Sequence, residues 1–133
     1  MAAKTKKDLT FKNQVKGTPG GANVLGCFLC GSCTAGCPVN EIDEAYNPRK
    51  LMRMILLDQK EAVLASKELW KCSQCHTCVA HCPQDVRFAD VLRALRELAV
   101  SADLAPASLI AEIEAIDQEA QSSRLEKIRR LLT

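Results

Sequence analysis

The chain has 133 residues, eight of them cysteine, and a formal net charge of +2. This length corresponds to about one domain, and because only 4% of the residues are aromatic, its core must consist mainly of aliphatic side chains. The near-neutral charge and the scarcity of aromatic residues argue against a nucleic-acid-binding protein, and no apolar run approaches the ~20 residues that span a bilayer.

The first predicted segment, residues 1–24, is a basic arm. It contains five lysines and one aspartate, and residues 17–21 are rich in the helix breakers glycine and proline. The arm has no apolar core of the kind that a secretory signal requires. We therefore expect a flexible N-terminal arm and a cytoplasmic location, where thiols stay reduced and clustered cysteines bind metal more often than they form disulfides.

An internal repeat of cysteines follows the arm. The sequence CFLCGSCTAGCP begins at Cys27, and CSQCHTCVAHCP begins at Cys72 with the same spacing. Both match C-x2-C-x2-C-x3-C-P, the cysteine run of bacterial ferredoxins that bind 4Fe–4S clusters. The eight cysteines are Cys27, Cys30, Cys33 and Cys37 in the first run and Cys72, Cys75, Cys78 and Cys82 in the second run.

Two 4Fe–4S clusters with crossed ligands are predicted from this repeat. In two-cluster ferredoxins the first three cysteines of a run hold one cluster, and the fourth cysteine holds the other. The proline after each fourth cysteine, which fixes φ and lacks a donor, helps the chain to turn away there. The predicted ligands are Cys27, Cys30, Cys33 and Cys82 for cluster 1, and Cys72, Cys75, Cys78 and Cys37 for cluster 2.

Zinc and haem are the alternative metal groups. Zinc sites use two C-x2-C pairs, which leaves the third cysteine of each run without a role. The stretch from Cys72 to His76 matches the C-x-x-C-H haem pattern, but the first run has Gly31 in place of the histidine. We expect His76 and His81 to lie near the clusters without binding them.

Two further expectations concern the surroundings of the clusters. Gly26, Gly31 and Gly36 flank the first run, where glycine would let backbone N–H groups approach cluster sulfur and raise the reduction potential. Trp70, two residues before the second run, is expected to pack against the second cluster and exclude water. If these environments differ, the two clusters have different potentials.

The remaining sequence predicts helices and no strand. Asn47 and Pro48 form an N-cap and a first helical position, and apolar residues after them follow helical spacing. A third helix after Pro83 is expected to carry its arginines on the outer side. The predicted elements are helices over residues 47–56, 61–65 and 88–98, outward Arg87, Arg93 and Arg96, a helix from Pro106 onward, and a last turn or two capped by Ser122 or Ser123.

The cysteine runs, the connector NPRKLMRMILL and the approach ELWKCSQCHTCVAHCP resemble the small iron–sulfur C subunit of heterodisulfide reductase over roughly residues 25–100. The resemblance implies an all-α fold, an α-helical ferredoxin domain over residues 25–104. Residues 105–133 would then be C-terminal helices that either complete the core or dock on a partner.

The resemblance also implies a function. In that family the small subunit relays electrons between the flavin-containing A subunit and the cysteine-rich catalytic B subunit, which acts on a disulfide or, in related complexes, on sulfur bound to a carrier. It implies no catalytic residue in this chain. The alternatives are a free ferredoxin, a class that is often strongly acidic, and the iron–sulfur subunit of a quinone-linked fumarate, succinate or glycerol-3-phosphate type oxidoreductase.

Overall fold

The structure, a computed structural model, describes residues 10–133, and the secondary structure of this part of the chain is helical without strands. The all-α prediction is therefore confirmed. Short 3-10 helices at Val24–Gly26 and Lys67–Trp70 precede the two cysteine runs. The α-helices are α1 (Phe11–Lys16), α2 (Ser32–Ala35), α3 (Pro38–Ile42), α4 (Pro48–Leu56), α5 (Lys60–Leu64), α6 (Thr77–His81), α7 (Phe88–Ser101) and α8 (Ser108–Leu131).

Helix α4 forms where its capping residues predict it. The Asn47 side chain accepts a hydrogen bond from the Lys50 N–H at 3.1 Å, and Pro48 occupies the first turn, where its missing N–H is not needed. The helix buries Leu51, Met52 and Ile55. This apolar face packs on α1 and α5 and places Met52 beside the cysteine runs.

Helix α7 is the central element of the core and contacts α1, α5 and α6. Its buried side chains follow the helical period and include one arginine. The prediction that Arg96 lies on the outer side is wrong: only 4% of it is exposed, whereas Arg87 and Arg93 are exposed as expected. Arg96 is buried because it lies four residues after Leu92 and three before Ala99, within the apolar face.

The prediction of an arm over residues 1–24 is wrong for its second half, and residues 1–9 lie outside the described part of the chain. Helix α1 places Phe11 and Val15 in the core. The Lys12 N–H and ammonium bind the Asp58 carboxylate at 2.9 and 3.0 Å. Although partial burial opposes the effect, these contacts lower the pKa of Asp58. The helix was not predicted because Phe11 and Val15, one helical turn apart, lie in a segment rich in lysine.

Helix α8 is one continuous helix, which differs from the two pieces predicted with a cap at Ser122 or Ser123. None of its residues is buried. Leu109, Ile113 and Ile128 are partly covered, whereas Ile116 and Leu125 are exposed. The helix therefore adds little to the core. In residues 10–133 no helix is long and apolar enough to cross a membrane.

Candidate metal centres

Three cysteines of the first run surround a cavity together with the last cysteine of the second run. The cavity encloses about 410 Å³ of empty space, part of it open to solvent. Met52, Val86 and Phe88 form apolar walls, and Arg49 lies at its edge. Its cysteines are Cys27, Cys30, Cys33 and Cys82.

A second cavity is built in the same way from the other half of the repeat. It encloses about 310 Å³ of empty space, again partly open. The buried residues Tyr46, Pro48 and Ala89 line it, and Phe88 forms part of the wall of both cavities. Its cysteines are Cys37, Cys72, Cys75 and Cys78. Each cavity therefore joins three cysteines of one run with the fourth cysteine of the other run.

Left-handed backbone conformations curl the first part of each run around its cavity. In the first run Leu29 has a φ of 60° and Gly31 a φ of 85°. In the second run Gln74 has a φ of 56° and His76 a φ of 61°. Such conformations are uncommon for residues other than glycine. Because they occur at matching positions, the two loops have similar backbone conformations.

The fourth cysteine of each run lies where the chain turns toward the opposite cavity. Cys37 is the N-cap of α3, and its Sγ accepts a hydrogen bond from the Asn40 N–H at 3.5 Å. The Sγ of Cys82 accepts one from the Val86 N–H at 3.4 Å. Helices α2 and α6, which precede these cysteines, contact each other. They meet at Gly36, where an added Cβ would lie only 2.7 Å from Nδ1 of His81.

The thiols fall into two electrostatic classes. Most are partly buried, which disfavours the thiolate, and the outermost thiol of each run is stabilised as an anion by a neighbouring hydroxyl. Hydrogen bonding with Ser32 lowers the pKa of Cys30, and hydrogen bonding with Thr77 lowers that of Cys75 despite its partial burial. Burial raises the pKa of Cys27, Cys33 and Cys72, and that of Cys78 to about 11.

These sites fit a multi-atom thiolate-bound group. Four cysteines face each cavity, and a bound metal compensates for the burial of the thiolates because coordination removes the thiol protons. Among residues 10–133, no three His, Cys, Asp or Glu side chains converge closely enough to hold a single metal ion. Cysteines distributed around an open space suit a cluster, whose iron atoms each take one thiolate.

The remaining predicted neighbours have mixed outcomes. His76 and His81 are exposed, and His76 lies at the wall of the second cavity. The backbone N–H groups of Gly26 and Gly36 donate to the Asn23 and Ser32 carbonyls, within turns rather than toward a cavity. Trp70 packs against the hydrophobic core but is not among the residues that line the second cavity.

Near the second cavity, Tyr46 and Gln74 were not predicted from the sequence, and Arg96 was predicted on the outer side instead. Tyr46 is 1% exposed, and its burial, together with the neighbouring thiols, raises its pKa far above the usual value. Gln74 donates to Cys72, and Arg96 donates to its carbonyl. The burial of Arg96 could have been predicted from its position within an apolar helical stripe. A polar residue inside a loop, such as Gln74, carries no comparable sequence signal.

Comparison with known protein families agrees with this geometry. The 4Fe-4S dicluster domain family matches residues 26–87. The chain is 40% identical over 78 residues to the C2 subunit of the H(2)/formate:CoB-CoM heterodisulfide,ferredoxin reductase of Methanococcus maripaludis, which is 59% of this chain and 41% of that protein. It is 38% identical over 77 residues to the second iron-sulfur C subunit of the CoB--CoM heterodisulfide reductase of Methanocaldococcus jannaschii, covering 58% and 40%.

A longer alignment reaches further along the chain. The C subunit of the H(2):CoB-CoM heterodisulfide,ferredoxin reductase of Methanothermobacter thermautotrophicus is 33% identical over 101 residues, 75% of this chain and 54% of that protein. The chain thus spans about half the length of these curated relatives. The family match and the two four-cysteine cavities identify the cofactors as two 4Fe–4S clusters. Residues 26–87 therefore match a 4Fe-4S dicluster domain, and the chain is similar, at 33–40% identity, to proteins named as C subunits of heterodisulfide reductases.

Proposed function

We propose that this chain is the electron-transfer subunit of a heterodisulfide-reductase-type complex in the cytoplasm. It would relay electrons between a flavin-containing A subunit and a catalytic, cysteine-rich B subunit that reduces a disulfide or oxidises a sulfur carrier. The single observation that carries the proposal is the pair of four-cysteine cavities that share the wall residue Phe88. A 4Fe–4S cluster accepts and releases one electron at a time.

The proposed ligands are the cysteines around each cavity. Cys27, Cys30, Cys33 and Cys82 would hold cluster 1, and Cys37, Cys72, Cys75 and Cys78 would hold cluster 2. The predicted crossing is supported by the contact between α2 and α6, because it brings the fourth cysteine of each run to the opposite site. Apolar walls would exclude water from the inner thiolates, and Cys30 and Cys75 remain exposed at the rims.

Exposure of one cysteine at each site suits electron relay. The rim of the first cavity also presents Phe28, which is 58% exposed, and the nearby Leu25 is 43% exposed. Exposed apolar side chains beside a redox centre suit a surface that a partner covers. In this role the chain supplies thiolates and walls and has no catalytic residue, so the reaction on substrate belongs to the partners.

Anaerobic affinity purification from native cells tests the proposal. We expect about eight irons and eight sulfides per chain, since two 4Fe–4S clusters contain that number, together with a flavoprotein and a second cysteine-rich protein. Flavin content and the identity of co-purifying chains are measured directly. An iron-loaded chain that purifies alone under mild conditions would indicate a free ferredoxin, and a membrane-bound quinone-reactive partner would indicate the quinone-linked alternative.

A further inference from the structure

We propose that Gln74 and Arg96 raise the reduction potential of the cluster bound by the second run above that of the cluster bound by the first run. The proposal rests on the two clusters of the proposed function. It does not depend on crossed ligation, because Cys72 belongs to the second-run cluster in either scheme. Reduction adds a negative charge, so hydrogen-bond donors and positive charges beside the thiolates favour the reduced form.

The repeat provides an internal comparison at Gln74. Position 74 corresponds to Leu29 in the first run, and both residues have a left-handed backbone. The Leu29 N–H donates to the Sγ of Cys27 at 3.4 Å, and the Gln74 N–H donates to the Sγ of Cys72 at 3.3 Å. Only Gln74 adds a side-chain donor, since its Nε2 lies 3.5 Å from the same Sγ.

The direction in which the Gln74 amide points is fixed by its neighbours. Its Nε2 also donates to the Ala89 carbonyl at 3.4 Å. Its Oε1 is buried and has no hydrogen-bond partner within residues 10–133. The reverse orientation would place Oε1 against two acceptors, a carbonyl oxygen and a sulfur, and is therefore less favourable. The side chain thus directs an N–H group at the thiolate and leaves its own oxygen unsatisfied.

Arg96 places a buried positive charge beside the same cysteine. Its Nε donates to the Leu69 carbonyl at 2.8 Å, and its Nη2 donates to the Cys72 carbonyl at 3.0 Å. The guanidinium also lies 5.5 Å from the ring centroid of Trp70. These three contacts hold the charge against the segment that leads into the second run. Because Arg96 is 4% exposed, solvent and salt screen it weakly.

The first cavity has an arginine of a different kind. Arg49 donates to the Leu29 carbonyl at 2.7 Å, but it is an exposed residue. Its charge is therefore screened by water and contributes less to the potential at the first cluster. Moreover, the N–H groups of Gly26 and Gly36, which could have strengthened the first site, bind backbone carbonyls.

Helix α8 brings opposing charges to Arg96. Glu114 and Asp117 line a crevice together with Arg93, Arg96 and Glu97. The two α8 carboxylates offset part of the arginine charge, but they face the crevice, whereas the guanidinium hydrogen-bonds toward the cysteine run. Arg93 lines the same crevice from an exposed position. It therefore offers a matched control of equal charge.

The first test replaces the side-chain donor. Gln74→Leu introduces the residue that the first run already accommodates at the matching left-handed position. Anaerobic redox titration of the reconstituted full chain, followed by electron paramagnetic resonance, gives one wave for each cluster, and Cys75→Ala identifies the second-run wave by its loss. We expect Gln74→Leu to move that wave to lower potential and to leave the other wave unchanged.

The second test separates charge from shape at Arg96. Arg96→Gln should shift the reduction equilibrium of the second-run cluster about tenfold toward the oxidised form, which is about 59 mV for a one-electron couple. Arg96→Lys keeps the charge and should retain most of the potential, a rescue that a purely structural role would not predict. Arg93→Gln removes an exposed charge on the same helix and should leave both waves in place.

Iron analysis distinguishes failure of this inference from failure of the proposed function. Eight irons per chain in the wild type and in the Gln74 and Arg96 variants, with equal and unmoved potentials, would overturn the inference and leave the proposed function intact. A higher potential for the first-run cluster would also overturn it. A wild-type chain without iron would overturn both. If Arg96→Gln does not fold, Gln74→Leu still decides the question, because a leucine is tolerated at that backbone conformation.

Discussion

Gly21 shows how closely the residues before the cysteine runs pack on the core. It is buried, and a Cβ added there would lie 2.0 Å from the Val15 carbonyl oxygen. Gly20 is constrained as well, since its φ is 99° and an added Cβ would meet the Asp90 carbonyl oxygen at 2.5 Å. By contrast, a Cβ at Gly17 would make ordinary contacts at 3.5 Å and beyond.

We expect Gly21→Ala to destabilise the protein by about 2 kcal/mol, because overpacking against backbone cannot relax easily. The thermal midpoint of the cluster-loaded protein, followed anaerobically by circular dichroism, measures this. Gly17→Ala is the matched control and should change the midpoint little. Equal midpoints for the two variants would show that the segment before Val24 is not packed as described.

His76 tests the assignment of cysteines as the only protein ligands proposed for the clusters. It is exposed at the rim of the second cavity with a left-handed backbone. His76→Asn should leave about eight irons per chain, because asparagine also tolerates this backbone conformation. Iron and sulfide analysis after reconstitution checks the outcome. Loss of about half the iron would instead make His76 a ligand.

Among the elements, α1 is a basic segment that nevertheless places two apolar side chains in the core. Its basic character comes from the half-buried Lys12 and the exposed Lys16, while Phe11 is 3% and Val15 0% exposed. Phe11→Ala should therefore lower stability by about 3–5 kcal/mol, the usual result of removing a buried phenylalanine. Leu131→Ala, at a side chain that is 85% exposed, is the control and should have little effect. Unfolding midpoints of the cluster-loaded variants measure the difference, and similar midpoints would contradict the packing of α1.

An element could be predicted from the sequence where nearby residues determine its structure, and not where distant contacts do. Helix α4 was predicted from Asn47 and Pro48 because capping chemistry acts within a few residues. Helix α1 was missed because its two core residues lie among lysines and beside glycines, and only tertiary packing selects the helix there. The buried Arg96 was placed outside because an arginine normally faces solvent; the Leu69 and Cys72 carbonyls that satisfy it come from a distant segment.

At the scale of the whole molecule, the repeat links the two halves of the chain. The cysteine spacing predicted two groups of ligands, and the same two groups of cysteines line the two cavities, while their binding to the clusters stays a prediction. The sequence could not predict the difference between the two sites, since the fold brings Tyr46 to the wall of the second cavity and brings Gln74 and Arg96 into contact with Cys72. The exposed helix α8 leaves a surface for the partners that the proposed complex requires.

The crossed ligation is tested most directly by the iron content of two double variants, Cys30→Ala/Cys82→Ala and Cys75→Ala/Cys82→Ala, measured after identical anaerobic reconstitution. In the crossed scheme the first variant damages one site and should keep about four irons, whereas the second damages both sites and should keep few, since each cluster contains four irons. The single variants are the controls for loss at one site. The reverse result, with iron retained in Cys75→Ala/Cys82→Ala and lost in Cys30→Ala/Cys82→Ala, would show that each run holds its own cluster and would contradict the account.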